Sequence, residues 1–118
     1  MAVQTITDMY ELDDSTNQVH LDVKIGYAQP AASRLFIDSS AFGGQKTDDF
    51  DTDIGSNASL KKKKLVINTS VWDIQAATNQ TSVTVKITGG KKSYERTVEC
   101  SVGEQGGVAI YLTTIYFF

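Results

Sequence analysis

Cysteine, proline, tryptophan and histidine each occur only once in this 118-residue chain. The lone cysteine, Cys100, excludes an intrachain disulfide, so stability has to come from packing. A single thiol fits a reducing compartment without requiring one. The lone histidine, His20, would have to serve any Ser-His-Asp or Cys-His mechanism, and no Gly-x-Ser-x-Gly elbow accompanies it. A zinc site built on His20 and Cys100 would lack the usual close-spaced ligand pair. Long apolar runs are missing as well, since nothing approaches the ~20 residues of a membrane helix. The opening Met-Ala-Val-Gln-Thr-Ile-Thr-Asp8 holds no basic region and no apolar stretch of signal-peptide length. No signal peptide is therefore read in this chain, and cytoplasmic synthesis is favoured, although a mature form with an added start codon would look the same. The net charge of −3 argues against a general affinity for nucleic acid. Neither nucleic acid nor membrane is an expected partner.

What the chain does have is alternation. Val19, Leu21, Val23, Ile25 and Tyr27 fall on one face of a strand, with His20, Asp22, Lys24 and Gly26 on the other. Val83, Val85 and Ile87 repeat the pattern. Tyr94, Val98, Cys100 and Val102 do so again after the Gly89-Gly90-Lys91-Lys92 turn. Leu65 to Ile74 is rich in β-branched residues, and weaker strands are expected at Val3–Leu12 and Arg34–Asp38. The final stretch follows Gly106-Gly107 and runs to Phe118 without charge, proline or glycine. Val108, Ile110, Leu112, Tyr116 and Phe118 mark one of its faces; Ala109, Tyr111, Ile115 and Phe117 mark the other. A strand apolar on both faces wants cover on both.

These signals predict an all-β fold: a single β-sandwich over residues 1–118, of about seven mostly antiparallel strands and without substantial helix. An immunoglobulin-like or transthyretin-like layout is expected, though the immunoglobulin cysteine pair is missing. Trp72 is the candidate inner-core aromatic. The last three strands read as an antiparallel meander. Residues 39–60, mostly Gly, Ser, Asp, Thr and Asn, read as a long acidic loop or the cover for a short strand.

Three features carry candidate chemistry. Asp49, Asp51 and Asp53 match the start of a calcium-binding EF-hand loop, but Ile54 stands where that loop needs glycine and Leu60 where it needs glutamate. A solvated acidic loop is the first reading and a calcium site the alternative. Lys61–Lys64 precede a strand and read as an edge-protecting device rather than a nucleic-acid patch. Cys100 reads as a small core residue.

The function expected is a non-enzymatic structural or interaction module, with no cofactor. It would form a homo-oligomer or dock into a larger protein assembly through its apolar C-terminal strand. Tyr111, Ile115, Tyr116, Phe117 and Phe118 are the candidate interface residues. The alternative is a calcium-dependent β-sandwich that binds carbohydrate or protein, with Asp49, Asp51 and Asp53 as ligands.

Overall fold

Period-two burial runs through almost every strand of the computed structural model, which describes residues 2–103 and 106–118. Among these residues nine strands occur: β1 (Ala2–Tyr10), β2 (Gln18–Ile25), β3 (Ala31–Ile37), β4 (Ser40–Thr47), β5 (Phe50–Ser56), β6 (Lys64–Trp72), β7 (Gln80–Thr88), β8 (Tyr94–Ser101) and β9 (Val108–Phe117). One helical turn, α1 (Asn57–Leu60), lies between β5 and β6. The strands form a five-stranded sheet, β1-β9-β6-β3-β4, and a four-stranded sheet, β5-β2-β7-β8. The layout is that of a β-sandwich.

Alternation explains the layers. Val19, Leu21 and Val23 of β2 and Val83, Val85 and Ile87 of β7 line one wall of the core. Leu35 of β3, Leu65, Ile67 and Val71 of β6, and Tyr111, Ile115 and Phe117 of β9 line the other. Full burial of each such side chain contributes roughly 1.5–3 kcal/mol, which is what offsets the cost of ordering a chain with no disulfide.

The stretch read as an acidic loop is instead two strands and a helical turn. Phe50, Thr52 and Ile54 face inward while Asp51 and Asp53 face solvent, an alternation masked by the density of aspartates. β4 is nearly all exposed and holds Gly43 and Gly44, so it carries little strand signal. Its ends are fixed by two aspartates with left-handed backbone, Asp38 (φ 54°) and Asp48 (φ 55°). Asp is one of the few residues that tolerates this conformation. Asp38 accepts from the Lys64 N–H at 3.0 Å, and Asp48 accepts from the Ala31 N–H at 2.9 Å.

Two polar plugs close the sandwich ends. Asn57 is fully buried, donates to Asn17 O and Gly89 O at 2.9 Å each, and accepts from the Asp13 N–H at 3.0 Å. At the other end the buried Gln29 donates to Asp73 at 2.9 Å and accepts from the N–H groups of Ile74 and Gln75 at 3.0 Å each. Each plug joins loops far apart in sequence, where an unpaired buried amide would cost about 1–3 kcal/mol.

The expected meander is corrected. β7 and β8 do form an antiparallel hairpin, but β9 crosses to the other sheet. There it lies parallel to β1 and antiparallel to β6. Of the crossing turn, Glu104 and Gln105 lie outside the described residues. Two further expectations are overturned by position. Trp72 faces outward and is partly exposed, so it is not the core aromatic. Lys64 opens β6, the middle strand of its sheet, so the lysine run guards no edge. Lys61–Lys63 sit in the turn before it, with Lys61 Nζ 3.4 Å from Asp14.

Candidate functional site

The C-terminal strand divides its side chains between two environments. Ala109, Tyr111, Thr113, Ile115 and Phe117 are buried in the protein's own core. Phe117 meets Tyr10 edge-to-face with ring centroids 6.3 Å apart. Tyr111 reaches across to the other sheet, with its hydroxyl 2.7 Å from Thr81 Oγ1. Thr81 gives its own proton to Cys100 O at 2.8 Å, so the tyrosine is the donor. Burial raises the Tyr111 pKa, and the bond to Thr81 works against that rise. Tyr111, Ile115 and Phe117, proposed from the sequence as interface residues, are therefore committed to the monomer. Tyr116 and Phe118 are open, at 43% and 50% exposure.

The chain end is docked. Phe118 N–H donates to Tyr10 O at 3.2 Å, and Leu12 N–H donates to Phe118 O at 2.8 Å. Pairing with β1 thus carries on past the last strand residue.

Register places the outward side chains of the five-stranded sheet in rows. Val3 stands beside Ile110 and Ser70, and Thr5 beside Leu112 and Asn68. Thr7 stands beside Thr114 and Val66, and Met9 beside Tyr116 and Lys64. Val3 is 53% exposed and Met9 62%. Arg34 and Phe36 of β3 continue the middle rows. None of these outward residues is a carboxylate. Along β1 and β9 the face is uncharged and apolar except at Thr5, Thr7 and Thr114, and the cation Arg34 stands on β3.

The outer face of the four-stranded sheet is its opposite in character. His20, Asp22 and Lys24 of β2 point outward there, beside Asp51 and Asp53 of β5. Lys86 of β7 and Glu95 and Glu99 of β8 complete it. His20 is held between two carboxylates: Nδ1 lies 2.8 Å from Asp53 and Nε2 3.1 Å from Asp51. Only the imidazolium can donate from both nitrogens. The hydrogen bond to Asp53 raises the His20 pKa most, with added attraction from Asp51, while desolvation pulls the other way. With both nitrogens taken, neither is free to draw a proton from a hydroxyl or thiol.

The three candidate calcium ligands are not brought together. Asp51 and Asp53 engage His20, while Asp49 accepts from the Ile25 N–H at 2.7 Å. Among the described residues no group of three or more His, Cys, Asp or Glu is arranged to hold a metal ion. Cys100 is buried, as a core residue would be.

A third cluster spans the two sheets where β1 and β8 approach. Asp8 accepts from the Tyr94 hydroxyl and from Arg96 Nη1, the latter at 2.9 Å. The Tyr94 bond holds the Asp8 carboxyl below its ordinary value despite some burial. Burial and that same carboxylate raise the Tyr94 phenol. The chemistry is that of a clasp across the sheet edges.

Comparisons with protein-family models, with curated proteins and with solved structures return no match. Sequence reasoning missed the polar part of the outward face, formed by Arg34, Gln45, Asn68, Ser70 and Trp72. These residues span almost forty positions and meet only through strand register, so no local motif announces them.

Proposed function

We propose that this protein is a non-enzymatic interaction module, a sandwich of immunoglobulin-like or transthyretin-like layout. It associates with copies of itself through the outward face of β9 and the adjoining β1. One observation carries this reading: Val3, Val108, Ile110 and Leu112 form an uncharged, solvent-accessible apolar patch, and Met9 and Tyr116 form a second one beyond the Thr7–Thr114 row. Contiguous apolar surface of this kind marks interaction sites more often than scattered single residues do. The neutral face also lets two acidic chains meet without opposing like charges, because no outward residue of β1 or β9 is a carboxylate and Asp8 of β1 turns to Tyr94 and Arg96 of β8. β9 and β1, spaced about 4.8 Å apart and about nine residues long, give a face of roughly 300 Å², below the ~800 Å² per partner of a standard interface, which fits a weak, concentration-dependent association.

Removing residues 115–118 would be a poor test, because Ile115 and Phe117 belong to the core. A charge on the outward face is the clean one. Sedimentation velocity over a concentration series is expected to show wild-type protein self-associating and Leu112→Lys staying monomeric. A wild type that stays monomeric at submillimolar concentration would rule out self-association.

A further inference from the structure

The polar half of the same sheet face holds a shallow groove of about 210 Å³, lined by Ala32, Arg34, Gln45, Asn68, Ser70 and Trp72. We propose that this groove binds one ring of an acidic polysaccharide, a hexuronate, with Trp72 against the sugar and Arg34 on its carboxylate.

The side chains are suited to that chemistry and are free for it. Among the described residues, none of Arg34, Gln45, Asn68, Ser70 and Trp72 spends its side chain on a hydrogen bond or ion pair with the rest of the chain. Gln45 and Asn68 each offer a donor and an acceptor, as sugar hydroxyls require, and Ser70 adds a hydroxyl. Trp72 supplies apolar area with an N–H at its edge, a combination that suits a ring with one apolar face and a polar rim. The guanidinium fork of Arg34 matches a carboxylate in two-point geometry.

Charge selects the acidic sugar over the neutral one. Arg34 stands opposite Asn68, with no carboxylate among the outward residues of the sheet to neutralise it. A nucleic acid or polyphosphate would need several cations in a row. Here β6 offers one cation, Lys64, four residues along the strand from Asn68, and β4 offers one, Lys46.

Backbone shape leaves the groove open at its edge. The register of β3 against β4 jumps between Ser33 and Leu35, which leaves Gly43, Gly44 and Gln45 opposite Arg34. Gly43 has φ +68°, and a side chain at Gly44 would meet nothing within 4 Å. Such bulges re-aim side chains and end regular pairing. The open bay admits the continuing polysaccharide chain. A volume of about 210 Å³ is smaller than the roughly 300–1,000 Å³ of enclosed small-molecule pockets, which fits a single ring held on a surface.

Trp72 is the only tryptophan, so the emission of the intact protein reports on the groove without a label. Titrate with tetragalacturonate and with tetrasaccharides of alginate and hyaluronan, using cellotetraose as the neutral control. A saturable emission change is expected with at least one uronate, about tenfold or more tighter than with cellotetraose. Arg34→Ala, an exposed position, is expected to weaken it about tenfold, with NMR shifts of the Asn68 and Gln45 side-chain amides lost in parallel. Met9→Lys, two strands and two rows away from Asn68, is expected to block self-association yet bind the sugar unchanged, which separates this site from self-association. No saturable change with any uronate up to about 10 mM would overturn the proposal. So would binding indifferent to Arg34→Ala, or equal affinity for cellotetraose.

Discussion

The Tyr111 hydroxyl lies 2.7 Å from Thr81 Oγ1, a bond between β9 of one sheet and β7 of the other. It closes a chain that runs on to Cys100 O, so two buried hydroxyls and a carbonyl satisfy one another. The most aromatic strand of the molecule is thereby fixed in its own core by a polar contact as well as by packing. Tyr111→Phe removes the donor but leaves Thr81 bonded to Cys100 O. The expected loss is about 1 kcal/mol in urea unfolding. Tyr111→Ala also empties the site and should cost about 3–5 kcal/mol.

Gly89 sets the hairpin between β7 and β8 with φ +98°. A β-carbon there would fall 2.2 Å from Gln18 O, a backbone atom that cannot rotate aside. Strain and overlap together give an expected cost of about 2–4 kcal/mol for Gly89→Ala in chemical unfolding. Gly44→Ala, with open space around it, is expected to change stability far less.

The His20 clamp makes stability pH-dependent in a defined direction. Unfolded, His20 titrates near its ordinary 6.5; folded, it titrates higher, chiefly through Asp53. Its contribution is therefore complete below 6.5 and is lost as pH rises through the folded value. Asp8 runs the opposite way. Its folded pKa lies below 3.8, mainly through the Tyr94 hydroxyl, so its contribution is present above 3.8 and is lost as pH falls through the folded value. Urea midpoints between about pH 6 and pH 8.5 should fall for wild type and stay flatter for His20→Asn. The slope should be small, because the His20 side chain is 38% exposed and water screens it. Asp53→Asn is expected to lower the His20 pKa more than Asp51→Asn, as read by NMR titration.

Much of this fold was legible in the alternation of β2, β7 and β8, because a half-buried strand writes its burial directly into period two. β5 was written the same way, as Phe50-Asp51-Thr52-Asp53-Ile54, but the aspartates drew attention as a cluster and hid the inward residues. β4 left almost no trace, since an exposed edge strand with two glycines buries too little to need a pattern. The destination of β9 was not legible either. Its two apolar faces called for two-sided cover, yet nothing local says which sheet it joins. The aspartates at 49, 51 and 53 look alike in sequence and do different work, because their partners, Ile25 and His20, lie on another strand.

The surface that becomes covered on self-association can be read from thiol reactivity, since the native Cys100 is buried. Thr5 faces outward on the five-stranded sheet and Thr97 on the four-stranded sheet, both exposed. Each is replaced singly by cysteine, and its alkylation rate is followed as protein concentration rises from micromolar to submillimolar. If copies meet through β1 and β9, Thr5→Cys slows with concentration while Thr97→Cys reacts at a constant rate. Equal rates at every concentration, or protection of Thr97→Cys instead, would contradict assembly through that face.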